Sequence, residues 1–332
     1  MAQPPRTTLP DARTTPRFAG IATFCRFPRI DDVTAPHQLP VDWAVYGIPF
    51  DGGVTFRPGA RFAPRAIREA SQYMKPAHLE LDVNIAEHLS CADAGDAPIQ
   101  PYDCKATLDT AAAFAGNIGE PSRTKLLAIG GDHSIAFANI RATCERCNQP
   151  KDGLALLHFD AHLDTVDTVW GHEWTHASPF RRAIEAGMIN PSNMLSIGIR
   201  GPLNSLSDLD YAREHGIEII TADACMNIER TTDQLSAFLD RVADQPLYLS
   251  FDIDCIDPAF APGTGTPCCG GLTPAVAFSL LRQCARHGVN LLGADIVEVL
   301  PDRDSAGITA LLASHLMIEI LAISACRARK QQ

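Results

Sequence analysis

Short runs of Leu, Ile and Val alternate with longer stretches of helix-like polarity along most of the chain. The apolar runs show little polar alternation, which is typical of strands buried on both faces of a sheet. They predict strands at residues 43–48, 125–129, 154–160, 194–199, 217–220, 247–252 and 290–296. The stretches between them predict helices at residues 64–73, 105–117, 135–147, 179–186, 205–215, 232–243, 274–287 and 308–325. This alternation predicts a single α/β domain with three layers (α/β/α) and a mostly parallel central sheet.

The two ends of the chain differ from this pattern. Residues 1–39 are rich in proline and polar side chains, so we expect an extended N-terminal arm, followed by the domain at residues 40–332. The N-terminus has no apolar segment of a secretory signal, so we expect a cytoplasmic protein whose eleven cysteines are free thiols. The apolar stretch at 308–325 contains His315 and Glu319, which favours a buried helix over a membrane span.

The net charge of the chain indicates which classes of binding partner to expect. The chain has 28 Lys and Arg residues against 39 Asp and Glu residues, which gives a formal net charge of −11. Nucleic-acid binding needs clustered basic side chains, so we expect no nucleic-acid partner, and the buried-helix interpretation predicts no membrane partner. We therefore expect a small molecule as the partner in function.

Four polar clusters follow four of the predicted strands at their carboxyl ends. Their sequences are GGDHS, HFDAHLD, SFDIDCIDP and DIVEVLP. Because ligands of open parallel sheets bind outside the carboxyl ends of the strands, we expect these clusters to converge on one site.

The first three clusters carry residue types that bind metal ions. In extended chain, residues two apart point the same way, so each cluster presents its acidic and imidazole groups together. These groups are His133, Asp160, His162, Asp164, Asp252 and Asp254. Four carboxylates in one crevice repel each other unless cations neutralise them. The mixed oxygen and nitrogen donors suit Mn²⁺ best, with Ni²⁺ or Zn²⁺ as alternatives, and the number of carboxylates predicts two ions ~3.5–4 Å apart.

The clusters GGDHS, HFDAHLD and SFDIDCIDP also resemble the three signature motifs of the ureohydrolase (arginase/agmatinase) superfamily. Further segments, including GIPFDGGV and APGTGTP, are similar to its agmatinase branch, and the resemblance covers roughly residues 40–325. It implies an enzyme with two manganese ions that hydrolyses a guanidino compound to urea and an amine. In that mechanism a metal-bridging hydroxide attacks the guanidinium carbon.

The resemblance also implies a role for each site residue. Asp160 and Asp252 would bridge both ions, with His133 and Asp164 on one ion and His162 and Asp254 on the other. Three residues would act in catalysis: Asp164 would steady the hydroxide, Glu298 would hold the guanidinium group, and His176 would shuttle a proton to the leaving amine.

This chain departs from the usual agmatinase pattern near the predicted site. Ala177 follows His176 where glycine is usual, Phe56 stands where asparagine is common, and Cys268-Cys269 replaces an acidic position. Trp170 and Trp174 flank the predicted shuttle loop, although either could be ordinary core packing. An apolar mouth disfavours the ammonium group of agmatine, so we expect an alkylguanidine, a biguanide or a guanidino acid as substrate.

Two other interpretations remain open from the sequence. One is a deacetylase of similar fold with a single zinc ion, which would leave carboxylates uncompensated. The other is a non-catalytic or regulatory subunit of a ureohydrolase hetero-oligomer. The resemblance to the ureohydrolase superfamily implies a homo-trimer or homo-hexamer. We expect the N-terminal arm to lie against a neighbouring subunit, and a hetero-oligomer with a related chain is the alternative assembly.

Overall fold

The computed structural model describes residues 6–34, 39–148 and 150–331, and its centre is an eight-stranded sheet. The strands of the described chain are β1 (Trp43–Ile48), β2 (Ala77–His78), β3 (Val83–Asn84), β4 (Cys91–Asp96), β5 (Lys125–Gly130), β6 (Leu154–Phe159), β7 (Ile189–Ile199), β8 (Glu218–Thr221), β9 (Leu247–Asp252) and β10 (Leu291–Val297). The large sheet has the order β4-β1-β5-β10-β9-β6-β7-β8, and all its pairings are parallel. Strands β2 and β3 form a separate antiparallel pair.

Helices cover both faces of this sheet. They are α1 (Ile30–Thr34), α2 (Ala63–Ala70), α3 (Ile85–His88), α4 (Cys104–Gly116), α5 (Ile135–Arg146), α6 (Pro179–Glu185), α7 (Asp210–His215), α8 (Ile228–Arg241), α9 (Pro274–His287) and α10 (Ile308–Lys330). Helices α2, α8, α9 and α10 pack into one apolar cluster, and α4, α5 and α6 pack into a second cluster. The predicted three-layer, single-domain α/β/α fold with a parallel sheet is therefore confirmed.

Helix α10 is the longest helix in the described chain. By length and composition alone it could cross a membrane, but 67% of its most apolar window is buried inside the domain. Leu316, Ile320 and Ile323 are fully buried in the cluster formed with α2 and α9. Glu319 is also buried, and it is held by Arg282 at 2.6 Å and His78 at 2.9 Å. The helix is therefore the centre of a protein core, as the sequence predicts.

A helix cap and a strand pairing explain two differences between the observed helices and strands and those predicted from the sequence. Helix α8 begins at Ile228 rather than residue 232, because the Asn227 side chain accepts a hydrogen bond from the Arg230 N–H (3.1 Å) and caps the helix. Strand β4 was not predicted, because its sequence CADAGD has no β-branched residue. It forms a strand by pairing with β1 at the edge of the sheet. The eleven cysteines are all free, as expected.

Part of the N-terminal arm packs on its own domain. The backbone N–H of Thr7 donates to Ser90 Oγ (3.2 Å), and its hydroxyl accepts from the Cys91 N–H (2.8 Å). Phe24 and Phe27 are buried in the main core. Residues 1–5 and 35–38 of the predicted arm lie outside the described residues. The boundary between residues 39 and 40 stays a prediction.

Candidate metal centre and active site

The four polar clusters follow β5, β10, β9 and β6, which are consecutive strands at the centre of the sheet. Because the strands are parallel, their carboxyl ends lie side by side at one edge. All eight predicted site residues meet there through the contacts described below. Seven of them are buried, and His162 is partly exposed.

Asp160 lies at the centre of the cluster and is fully buried. Its Oδ2 lies 3.0 Å from Nδ1 of His133, and its Oδ1 lies 3.3 Å from Nδ1 of His162. The two oxygens of one carboxylate thus face two different histidines. A third histidine, His158, places Nε2 2.9 Å from Oδ2, while its Nδ1 lies 3.1 Å from Ser196 Oγ.

His133 is held from the side opposite the carboxylates. Its Nε2 lies 2.8 Å from Ser250 Oγ, and the Ser250 hydroxyl donates to Asp295 at 2.6 Å. Since the serine proton is committed to Asp295, the imidazole donates its Nε2 proton to Ser250. This leaves Nδ1 of the neutral ring as a lone pair directed at the cluster.

Nδ1 of His133 fits a cation. It is buried without a well-formed hydrogen bond, and it lies 2.8 Å from an oxygen of Asp164 and 3.3 Å from an oxygen of Asp252. A lone pair among carboxylate oxygens is repulsive unless a positive charge lies between them. Burial alone lowers the pKa of His133, but its contacts with Asp160 and Asp164 raise it well above the ordinary value. The position therefore takes either a proton or a metal ion.

The second half of the cluster centres on Asp254. Its Oδ2 lies 3.1 Å from Nδ1 of His162, and its Oδ1 accepts the Ala161 N–H at 3.1 Å. The Thr266 hydroxyl also donates to Oδ2 (3.2 Å). Nε2 of His162 points away from the carboxylates, toward Cys268 Sγ at 3.9 Å.

The pKa values of the carboxylates reflect the repulsion between negative charges in a buried site. Burial raises the pKa of Asp252 well above its ordinary value, and neighbouring Asp254 and Asp160 raise it further. Burial and Asp160 likewise raise the pKa of Asp254. Although burial opposes it, contacts with His133, His158 and His162 hold the pKa of Asp160 well below the usual range. Divalent ions would relieve this repulsion, and the mixed nitrogen and oxygen donors suit such ions.

Glu298 and His176 form a second polar unit beside the cluster. His176 Nδ1 lies 2.9 Å from Glu298 Oε1, which also accepts the His133 backbone N–H (2.9 Å). The other carboxylate oxygen, Oε2, is buried without a hydrogen-bond partner. Thr55 offers its N–H (3.0 Å) and its hydroxyl (2.8 Å) to Nε2 of His176, so this nitrogen has a partner in either protonation state. An unpaired buried carboxylate oxygen indicates a place for a cationic donor.

Burial by itself lowers the pKa of His176. The hydrogen bond to Glu298 and the charges of Glu298, Asp132 and Asp164 outweigh burial and raise the pKa to about 9. Burial and the charge of Glu298 raise the pKa of Asp132 to about 7. His176 can therefore hold a proton at neutral pH beside the cluster.

Unusual backbone positions hold these groups in place. Asp164 and Glu298 have φ values of 52° and 65°, in the left-handed region that non-glycine residues rarely adopt. Such residues cost of order 1–3 kcal/mol each and concentrate at functional sites. Gly131, two residues before His133, has no room for a side chain, since a Cβ there would lie 2.1 Å from the Phe50 carbonyl oxygen.

A cavity of about 620 Å³ opens onto the cluster. His162, Asp164, Asp252 and His176 contribute to its lining, and the remaining walls come from the segment after β6, the segment after β7, Thr55 and Thr266. Trp170 lies on the wall and is 78% exposed. Trp174, by contrast, packs edge-on against Phe137 with ring centroids 4.8 Å apart. Phe56 is exposed, with the Arg57 guanidinium over its ring.

The sequence analysis missed several residues that hold the site together. They are Thr55, His158, Ser196, Ser250 and Asp295, all hydrogen-bonded to site residues or to their partners. His158 and Ser250 carried an available signal, because each precedes a predicted ligand (Asp160 or Asp252) by two residues and so points the same way on its strand. The others come from strands and loops whose proximity depends on the strand order.

Comparison with known proteins agrees with this geometry. Residues 41–322 match the family model described as the Arginase family. The chain belongs to the arginase family. Guanidinopropionase of Pseudomonas aeruginosa is 41% identical to this arginase-family chain over 317 residues, which is 95% of each protein. The superfamily resemblance stated from the sequence is thereby confirmed.

Solved structures give the same result. The structure of proclavaminate amidino hydrolase from Streptomyces clavuligerus superposes with a TM-score of 0.84 at 38% identity, covering 94% of this chain and 100% of that one. A hypothetical agmatinase from Burkholderia thailandensis superposes with a TM-score of 0.81 at 33% identity, covering 95% and 94%. The arginase-like fold thus extends over nearly all of the chain.

Proposed function

We propose that this arginase-family chain hydrolyses a guanidino compound to urea and an amine with the help of two divalent metal ions. Arginase-family enzymes are binuclear metal enzymes, and relatives of this chain are named guanidinopropionase, guanidinobutyrase and agmatinase. The observation that carries the proposal is the buried Asp160 carboxylate, with one oxygen beside His133 and the other beside His162. One carboxylate placed between two nitrogen donors suits two ions better than one.

The contacts within the cluster support a proposed set of ligands for the two ions. His133 and Asp164 would hold one ion, His162 and Asp254 the other, and Asp160 and Asp252 both. Bound divalent ions lower the pKa of water and so supply a nucleophile at neutral pH. We propose Mn²⁺ as the metal, with Ni²⁺ as the alternative, because these ions accept mixed oxygen and imidazole ligands.

The protein's own residues bind the substrate and move protons. Glu298 presents its unpaired Oε2 to the guanidinium group, and carboxylate–guanidinium hydrogen bonds fix a planar cation in orientation. Asp164 Oδ2 lies 2.8 Å from His133 Nδ1 within the ligand cluster, and Asp164 would accept a proton from the attacking water. His176 carries a proton beside Glu298 and would donate it to the leaving amine.

Reconstitution tests the proposal directly. Metal-free protein is loaded separately with Mn²⁺, Ni²⁺ and Zn²⁺, and urea release is measured with alkyl, amino and carboxy guanidino compounds. We expect chelation to abolish urea release, and we expect about two ions per chain when activity returns. Full activity with one ion or none would contradict the two-metal proposal. Urea release from none of the compounds with any metal would contradict the hydrolase itself.

The alternative of a non-catalytic subunit has no support, because all eight candidate residues are present in the sequence and contact one another within one cluster. We further propose a homo-trimer or homo-hexamer, with a hetero-oligomer of a related chain as the alternative. A cytoplasmic location suits the free cysteines, which reducing conditions preserve.

A further inference from the structure

The cavity above the cluster is larger than a guanidinium group needs. Its volume of about 620 Å³ is in the range of sites that hold whole small molecules. His162, Asp164, Asp252 and His176 line its inner end, and His176 contacts Glu298 at 2.9 Å, so the remaining volume surrounds the rest of the substrate. The chemistry of the outer walls therefore selects the substrate's tail.

The outer walls are largely apolar. Val166, Val169 and Trp170 come from the segment after β6, and Leu203 comes from the segment after β7. Thr165, Thr168 and Asn204 are the neutral polar side chains from these two segments. These walls can take an aliphatic chain out of water without leaving a charge unpaired.

No lysine or arginine occurs among the described residues that line this cavity. Arg200, next to the lining residue Ile199, is fully engaged elsewhere. It donates to the backbone carbonyls of Asp254 (2.6 Å), Cys268 (2.7 Å) and Gly198 (3.1 Å). A carboxylate on the tail would enter without a cationic partner while Asp208 lies on the same wall, and burying an unpaired charge is costly.

An ammonium tail has only a weak partner. Asp208 is the acidic group on the outer wall, and it is exposed to solvent. Its Oδ2 already accepts the backbone N–H groups of Asn204 (3.1 Å) and Ser205 (3.2 Å). Exposed ion pairs contribute little, so Asp208 does not compensate for the dehydration of an ammonium group beside Trp170 and Leu203.

We propose that the preferred substrate is an N-alkylguanidinium whose tail carries no charge, an inference that rests on the proposed function. The guanidinium group pairs with Glu298, and the alkyl group lies along Val166, Trp170 and Leu203. This selection separates the chain from relatives named for guanidino acids and for agmatine.

The test compares three guanidines whose tails each have four carbon atoms. Butylguanidine, 4-aminobutylguanidine and 4-guanidinobutyrate are supplied to the metal-loaded protein, and kcat/KM for urea release is measured for each. We expect butylguanidine to exceed both charged compounds by about tenfold or more, the scale of a single pocket contact. A charged compound that equals or exceeds it, while urea is released, overturns the uncharged tail but leaves the hydrolase standing. Absence of urea from all three overturns the proposed function and this inference with it.

A charge placed in the wall provides an independent test. Leu203→Arg should raise kcat/KM for 4-guanidinobutyrate relative to butylguanidine about tenfold or more, because it gives the carboxylate a partner. Trp170→Arg, at a largely exposed position, repeats the test if Leu203→Arg does not fold. The matched control is Met226→Arg, which adds the same charge at an exposed site outside the cavity and should leave the ratio unchanged.

Binding provides a readout besides activity. The metal-loaded wild type is titrated calorimetrically with analogues of butylguanidine and 4-guanidinobutyrate in which an amidine replaces the guanidine. We expect the analogue with the uncharged tail to bind more tightly. Leu203→Arg should reverse that order, and Met226→Arg should retain it. Equal shifts in the Leu203 and Met226 variants would show that overall charge, rather than the cavity wall, sets the preference, and would overturn the inference.

Discussion

At the scale of single residues, Asp160 is the site's most connected group. Its two oxygens contact His133, His158 and His162, whereas His162 offers the cluster only Nδ1. A ligand shared by two ions supports both, so we expect Asp160→Ala and Asp252→Ala to lose more activity and more bound metal than His162→Ala. Urea release and metal content per chain measure both effects.

The control for this series is Asp302→Asn, which removes an exposed carboxylate just after β10 and should retain both ions. Equal and mild losses in all three ligand variants would contradict the assignment of shared ligands. Loss of one ion in His162→Ala with loss of two in Asp160→Ala would support it most directly.

The pKa of His176 predicts how kcat/KM depends on pH. Its pKa is raised to about 9, so it holds a proton below that pH and loses it above. If this proton goes to the leaving amine, kcat/KM should fall as the pH rises through about 9. Asp132→Asn removes one of the charges that raise this pKa, so the fall should begin at lower pH. A kcat/KM profile over pH 6–10.5 in both proteins measures the shift.

A matched variant distinguishes this effect from a general change of charge. Glu173→Gln removes a carboxylate only three residues from His176, but Glu173 is exposed, and the groups that chiefly raise the His176 pKa are Glu298, Asp132 and Asp164. We expect its pH profile to match that of the wild type. Identical profiles in the Asp132 and wild-type proteins would show that His176 does not set the basic limb.

At the scale of elements, the sequence predicts which strands and polar clusters form the site better than it predicts the order of those strands in the sheet. Seven of the eight strands of the large sheet follow from apolar runs, and the polar clusters after four of them mark the site. The strand order, in which β10 lies between β5 and β9, is not visible in local patterns, because it depends on long crossovers. For the same reason the Ser250–Asp295 support of His133 could not be predicted. The positive φ of Glu298 (65°) is likewise not visible in the local sequence pattern.

The turn between β5 and α5 makes an element-scale prediction. A Cβ on Gly131 would lie 2.1 Å from the Phe50 oxygen and 2.7 Å from the Ile48 oxygen, and both are backbone atoms. Gly131→Ala should therefore displace the turn that carries His133 and lower the free energy of unfolding by roughly 1–3 kcal/mol or more. Denaturant unfolding of metal-free protein measures the loss.

The control for that turn is Gly116→Ala, at the last residue of α4. A Cβ there meets no atom within 4 Å, so the change should be neutral or stabilise by about 0.4–1 kcal/mol. If Gly131→Ala unfolds at the same denaturant concentration as Gly116→Ala, the close approach to Phe50 is not a constraint on the turn.

At the scale of the whole molecule, the N-terminal arm combines buried and exposed apolar groups. Phe24 and Phe27 lie in the domain core, whereas Phe18 and Ile21 are 94% and 77% exposed. Exposed apolar side chains beside a folded core are typical of an interface with another subunit. The arm thus has one part that stabilises its own domain and another that is available for assembly.

These two parts predict different effects of truncation. Wild-type protein should sediment as a trimer or hexamer at micromolar concentration. Removing residues 1–21 should lower the assembly state but keep the fold, at a cost of about 1 kcal/mol for each lost Thr7 hydrogen bond. Removing residues 1–30 also takes Phe24 out of the core, which should cost about 3–5 kcal/mol more. The double variant Phe18→Ser, Ile21→Ser should reproduce only the loss of assembly. A monomeric wild type, or a double variant that assembles fully, would show that the arm does not join subunits.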